Sequence, residues 1–234
     1  MLKAVSIVGY KNSGKTGLAS DLARELEKRG TACAAAKFSS HGFDKQDTDT
    51  QRLCASAAPV IGIGPEESAV FWPQRIKLAD LAHLAGDRLL IVEGGKSLTI
   101  LPRIVMARDE EEARKLDNGL ALAVWGEEPL AGLRAVSSLS RLADLALEKG
   151  FLLPGLDCAT CGRLDCLHLA REIVSGAAGP EDCAASNPGT EIRINGRQLA
   201  LNGFLNEMVT RAILGLISPL KGFAPGEITI NIKN

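Results

Sequence analysis

The chain predicts an α/β fold: a mostly parallel sheet with flanking helices, then a small four-cysteine module, then a C-terminal hairpin–helix–strand unit. Three observations carry this expectation. Over residues 1–150, short apolar runs alternate with stretches of helical period, the pattern of successive strand–helix–strand units. Residues 151–186 instead hold four cysteines, several glycines and one short helical stretch, with too little apolar mass for an independent core. Residues 187–234 return to alternation and turn signals on a small scale.

Taken in order, Ala4–Val8 reads as a first strand. Leu18, Leu22 and Leu26 recur every four residues and predict a helix that stops before Gly30. Thr31 to Ala36 comes next as a second strand, with further strands over Val60–Ile63 and Ala69–Phe71 and a helix over Ile76–Leu84. Leu89–Val92, Ile104–Met106 and Leu120–Val124 are continuous apolar runs of the kind that parallel sheets bury. A helix from about Leu133 to Leu147 ends the unit at Gly150, and Leu167–Val174 is the helical stretch of the cysteine segment. Asn195-Gly196, between Ile192/Ile194 and Leu199/Leu201, is a two-residue hairpin signal. A helix from Asn202 or Gly203 to Ile217 and a strand over Glu227–Ile232 complete the chain.

Composition sets the class. The 234 residues are 46% hydrophobic and 24% charged, an ordinary balance for a globular protein with a real core. A net charge of −1 gives no electrostatic footprint for nucleic acid or an anionic membrane. No apolar run is long enough to span a bilayer, and Met1-Leu2-Lys3 leads into a strand, not a signal peptide. A cytoplasmic protein with reduced thiols is expected. Cys33 and Cys54 stand alone and read as small apolar fillers.

The chemistry concentrates in two places. Gly9-Tyr10-Lys11-Asn12-Ser13-Gly14-Lys15-Thr16 fits the pattern of glycine, four residues, then Gly-Lys-Thr, and it lies between a strand and a helix. In such a P-loop, successive backbone N–H groups and the helix N-terminus cradle phosphate, and glycine permits the close approach. The expected nucleotide-binding residues are Gly9, Lys11, Asn12, Ser13, Gly14, Lys15, Thr16 and Gly17. Lys15 would reach the β- and γ-phosphates, and the Thr16 hydroxyl would ligate Mg²⁺. Glu93, where the Leu89–Val92 strand emerges, supplies the carboxylate such a site needs. No Asn-Lys-x-Asp base-reading motif is present, so the motif leaves GTP and ATP both open.

From the P-loop and the segments downstream of it, residues 3 to about 126 resemble the MobB family of P-loop GTP-binding adaptors in molybdopterin guanine dinucleotide synthesis. Lys37, His41, Asp44, Asp49-Thr50 and Ser56-Ala57-Ala58 occupy the places of the family's lysine, histidine, two acids and small-residue triplet, and Val92-Glu93-Gly94, with Lys96 beyond it, matches its later strand. This chain has Asp47-Thr48 where the family commonly has Gly-Lys. The resemblance implies GTP, Mg²⁺ held by Thr16, Asp49 and Glu93, and further site residues at Lys37, His41 and Asp44. It implies slow hydrolysis, since neither an arginine finger nor a water-positioning glutamine is evident. Its expected partners are a molybdenum cofactor nucleotidyltransferase and molybdo- or tungstoenzymes, with room for a homodimer.

The second place is Cys158-x₂-Cys161-x₄-Cys166-x₁₆-Cys183. Four thiolates suit a tetrahedral zinc or a cubane cluster. The last pair is separated by a helix, unlike the matched knuckles of zinc modules, and the spacing is similar to the small [4Fe–4S] module of corrinoid iron–sulfur and Rnf-type proteins. The whole therefore predicts a nucleotide-binding adaptor over 1–150, an iron–sulfur module over 151–186 and a small α+β unit over 187–234. Two other readings stay open: a small-molecule kinase with Arg103, Arg108 or Arg114 on a lid, and a redox or cluster carrier whose docking the nucleotide switches.

Overall fold

The computed structural model describes residues 1–39, 42–43, 48–186, 190–195, 197–199, 201–224, 226 and 228–230. His41, Asp44 and Asp47 lie outside the described residues, as do Gly196 of the expected turn and Glu227, Asn231 and Ile232 of the expected last strand.

Six strands form the main sheet: β1 (Ala4–Gly9), β2 (Cys33–Lys37), β5 (Leu89–Glu93), β6 (Arg103–Met106), β7 (Ala121–Trp125) and β8 (Ala135–Val136), in the order β2-β5-β1-β6-β7-β8. Every pairing is parallel, and β1 is central, with Val5 opposite Ile91 on one side and Ile7 opposite Ile104 on the other. Alternation decides what each face meets. Val5 and Ile7 of β1 pack with Leu22 and Leu26 of α1 (Lys15–Lys28) and Leu142 and Leu145 of α5 (Leu139–Lys149). Burying each such leucine stabilises the fold by roughly 1.5–3 kcal/mol. Ala4 and Val8 face the other way. Ala4 meets Leu90, Val92, Leu101 and Leu152, and Val8 meets Val105, Val124 and Leu116 of α4 (Glu110–Leu116).

Val60–Ile63 and Ser68–Phe71 (β3 and β4) form an antiparallel hairpin outside the main sheet, after the short helix α2 (Asp49–Cys54). The helix expected over Ile76–Leu84 is α3 (Leu78–Leu81), which tightens into a 3₁₀ turn over Ala82–Ala85. The helix expected from Leu133 begins later, at Leu139, with the Ser138 side chain accepting from the Arg141 N–H. Ala131 and Gly132 both have positive φ (54° and 77°) and turn the chain tightly, so Ala135–Val136 become an edge strand instead.

Apolar residues of the cysteine segment are buried together with residues of the sheet domain. Leu169, Ala170 and Ile173 of α6 (Cys166–Ser175) pack with Phe151, Leu153, Cys183 and Leu120 at the foot of the sheet. The backbone joins the two parts too: Phe151 N–H donates to the Ala4 carbonyl (3.0 Å) and Leu153 N–H to that of Ile100 (2.8 Å). The packing of the first 150 residues therefore continues to Leu153.

The C-terminal unit has a short hairpin, β9 (Arg193–Ile194) with β10 (Arg197–Gln198), and α7 (Gly203–Ile217), whose start is capped by the Asn202 side chain accepting from the Leu205 N–H. Ile228, Thr229 and Ile230 are in no strand, so the expected last strand is not seen among the described residues. Thr160 of the cysteine loop accepts from the Gly203 N–H (3.2 Å). No described helix is long and apolar enough to cross a membrane.

Candidate functional site

The loop between β1 and α1 is shaped by its glycines. A Cβ on Gly9 would stand 2.4 Å from the Ser13 hydroxyl and 2.8 Å from the Met106 carbonyl, so no larger residue fits there. Asn12 (φ 63°) and Gly14 (φ 85°) adopt left-handed conformations that aim the loop back over the helix. Gly14 is the N-cap of α1 and supplies no side-chain acceptor. The first N–H groups of a 14-residue helix thus open toward the cleft, with the positive end of its dipole behind them.

Around this loop lies a cleft of about 840 Å³ at the carboxyl ends of β1, β2 and β5. Among the described residues that line it, four are lysines (Lys11, Lys15, Lys37 and Lys96) and one, Glu93, carries a carboxylate. Such an excess of positive charge suits a polyphosphate. Thr16 Oγ1 donates to Glu93 Oε1 (2.8 Å), and Lys37 Nζ donates to both Glu93 oxygens (3.0 and 3.2 Å). Lys15 Nζ rests on the Ser13 hydroxyl (3.3 Å) and the Tyr10 carbonyl. Burial holds Lys15 below its ordinary pKa; Glu93 opposes that shift, and Lys96 and Lys37 reinforce it. An ammonium so placed gains most from a further anion. Lys96 sits 3.8 Å from the centre of the Tyr10 ring, a cation–π contact.

The structure thus brings Gly9, Lys11, Asn12, Gly14, Lys15, Thr16, Gly17, Lys37 and Glu93 to one cleft, with Ser13 beneath Lys15. It does not bring Asp49 there: at the start of α2 the side chain is 95% exposed and pairs with Arg52 (3.4 Å). Phe38, Ser39 and Gly95, which the motifs do not include, also line the cleft, as does Gly94 of the matched Val92-Glu93-Gly94. The two glycines carried a signal, since consecutive glycines after a strand-end acid mark a close turn, and both have positive φ (86° and 70°). The arginines expected for a lid are committed elsewhere. Arg103 is 1% exposed and donates to the carbonyls of Leu116 (2.7 Å) and Leu98 (2.6 Å), and burial lowers its pKa to about 10. Arg108 and Arg114 pair with Glu112 and Glu110 of α4.

The four cysteines line a second, apolar pocket together with Leu156, Leu169 and Ala185. Cys166 and Cys183 are buried, Cys158 and Cys161 partly so, and burial pushes the Cys166 thiol up from its ordinary pKa. Asp157 closes the loop by accepting from the Cys166 N–H (2.9 Å), and Arg163 donates to the Cys161 carbonyl (2.9 Å) while pairing with Glu172 of α6 (2.8 Å). Among the described residues, no three His, Cys, Asp or Glu side chains converge on a single metal-ion position. In kind, the donor set fits an iron–sulfur cluster: four soft ligands around one pocket with no competing cation in its lining.

Comparison with known proteins is decided by the first half of the chain. The family model of "Molybdopterin guanine dinucleotide synthesis protein B", MobB, matches residues 4–125, more than half of the sequence. The chain belongs to the MobB family. A second family model, "Putative Fe-S cluster", matches residues 153–185. A relative in Methanocaldococcus jannaschii, described as a "Putative molybdopterin-guanine dinucleotide biosynthesis adapter protein", is 25% identical over 94% of this chain and 93% of its own. The "Molybdopterin-guanine dinucleotide biosynthesis adapter protein" of Haemophilus influenzae is 30% identical over 61% of this chain and 84% of its own. Among solved structures, MobB of Bacillus subtilis shares the fold, with a TM-score of 0.50, 22% identity, and coverage of 64% of this chain and 99% of its own. The MobB match ends at β7, and the iron–sulfur match takes in all four cysteines.

Proposed function

We propose that this protein is a GTP-binding adaptor of molybdopterin guanine dinucleotide synthesis or delivery that hydrolyses its nucleotide slowly and carries a [4Fe–4S] cluster on Cys158, Cys161, Cys166 and Cys183. One observation supports the nucleotide part above all: the Thr16 hydroxyl and the Glu93 carboxylate meet at 2.8 Å beside Lys15, at the mouth of a lysine-lined cleft. The loop N–H groups and Lys15 hold the β- and γ-phosphates. Thr16 and Glu93 would hold Mg²⁺, which would spread the phosphate charge. As the phosphates arrive, Lys37 exchanges its pairing with Glu93 for a phosphate oxygen. The sequence offers no evident arginine finger or water-positioning glutamine, which supports slow turnover and an adaptor's role toward a nucleotidyltransferase and molybdo- or tungstoenzymes. Cysteines that form no disulfide with one another favour the cytoplasm. With Arg103 buried and Arg108 and Arg114 paired along α4, the kinase reading loses support from its three lid candidates. The carrier reading keeps the cysteine pocket in its favour.

Purification without oxygen, with metal analysis and identification of the co-purifying nucleotide, tests the proposal. It predicts a brown protein with about four irons per chain and GTP outcompeting ATP in a binding titration. Equal or reversed base preference would remove the GTP reading. One zinc per chain in a colourless preparation would remove the cluster and leave the ligand set.

A further inference from the structure

Residues 94–102 connect β5 to β6, and because those strands flank β1, the connection must cross β1 from the carboxyl end of the sheet back to its amino end. It does so without a helix. Parallel crossovers ordinarily take a dozen or more residues, and this one takes nine, so it runs as a strap with little slack. The two ends of the strap face different sites. Gly94, Gly95 and Lys96 line the nucleotide cleft. Past Leu98, the strap is fastened to the cysteine module.

That fastening is specific. Ile100 accepts the Leu153 N–H (2.8 Å). The Leu98 carbonyl accepts from Arg103 Nη2 (2.6 Å) and from the Asn118 amide (3.3 Å). The Asn118 backbone carbonyl in turn accepts from Arg171 Nε of α6 (2.9 Å), the helix that begins at Cys166. Gly119 makes this approach possible: it has φ +88°, and a Cβ there would stand 2.7 Å from Arg171 Nε. Leu98 closes the upper turn through its N–H to the Gly95 carbonyl (2.9 Å), and its side chain fills the space a Cβ on Gly95 would need. Arg103, buried beneath, gives the strap a rigid base.

We propose that this strap couples the two sites: with α6 seated, Arg171 holds Asn118, Asn118 and Arg103 hold Leu98, and the Gly94–Lys96 turn is ordered for the nucleotide in advance. The inference rests on the nucleotide and cluster readings above. Ordering the turn before binding removes that cost from the binding step. Coupling between two bound groups is reciprocal, so nucleotide must hold the cluster more tightly by the same factor. Arg171 and Asn118 are positioning residues; neither lines the cleft or the cysteine pocket.

The test uses the full chain, purified without oxygen, in its iron-loaded form and after stripping with a chelator. Mg-GTP affinity is measured by titration, and iron retained at equilibrium against a chelator is measured with and without Mg-GTP. Loaded protein should bind Mg-GTP at least about fivefold more tightly than stripped protein, the lower end of ordinary coupling. Loaded Arg171→Ala and Asn118→Ala, each with full iron, should bind as weakly as stripped wild type, and Arg171→Lys should recover part of the loss. Comparing variants within the loaded state keeps the test independent of how the stripped module folds. Equal affinity in loaded and stripped wild type overturns the coupling, and so does wild-type affinity in both loaded alanine variants. Nucleotide binding to neither form overturns the nucleotide reading as well, an outcome distinct from two equal, measurable affinities.

Discussion

In the nucleotide cleft, Lys15, Thr16, Lys37 and Glu93 each leave the end of a strand or the first turn of a helix; in the cysteine pocket, three of the four thiols leave irregular backbone. The first set is fixed by a buried sheet, and its polar groups already have partners within the protein. The second is spanned by a loop in which Asp157 and Ala159 take positive φ (46° and 54°), conformations that cost non-glycine residues of order 1–3 kcal/mol each. Asp157 and Arg163 hold that loop at two points. One site is made by folding, and the other is shaped to be completed by what it binds, so that binding energy becomes local folding energy.

Removing one ligand should break the cysteine site most severely. Cys183→Ser should reduce iron from about four per chain to near zero. Proteolysis should then cut residues 154–165, while the sheet, held by Phe151 and Leu153, stays resistant. Iron retained at wild-type level after this change would mean that Cys183 is no ligand. The same substitution at Cys33 or Cys54 should leave iron unchanged.

The nucleotide site should lose affinity without losing structure. For Lys15→Ala, titration should show Mg-nucleotide affinity falling about ten- to a hundredfold, or 1.4–2.8 kcal/mol, with the melting temperature nearly unchanged. Glu93→Gln should be smaller and conditional: about five- to tenfold weaker with Mg²⁺ and within about twofold without it. Equal loss in both conditions would show that Glu93 serves the fold by pairing with Lys37. The smallest effect belongs to Asp49→Asn, within about twofold in the same titration, because that carboxylate stands in solvent beside Arg52.

Much of the frame was legible because local pattern and burial agree in it. The apolar runs at Ala4, Leu89 and Ile104 are short and rich in β-branched residues, as buried strands are, and the loop after Gly9 has a strict spacing. The features that escaped depended on context. Leu133 to Val136 reads as the start of a helix, yet positive φ at Ala131 and Gly132 turns the chain so that Ala135–Val136 pair as an edge strand. Helix α4 is invisible to apolar periodicity, although its polar signals are present: Asp109 accepts the Glu112 N–H, and Glu110–Arg114 and Glu111–Lys115 pair one turn apart. Arg103 reads as a surface cation because its two carbonyl partners, at positions 98 and 116, meet only in the folded chain. Asp49 matched a family position, but placement of its side chain depends on a helix with no buried residue.

The hydrogen bond from Phe151 to Ala4, with Leu152 set among Ala4, Leu90 and Val92, bears on how the chain could be dissected. Scissors applied at Gly150, where the motif-bearing sequence ends, would bare an apolar strip along β1 and β5 and leave the Ala4 carbonyl without its donor. A cut just after Leu153 spares both. A fragment meant to keep the nucleotide cleft is therefore better ended after Leu153 than at Gly150, although Leu120, Phe151 and Leu153 then lose their cover from α6.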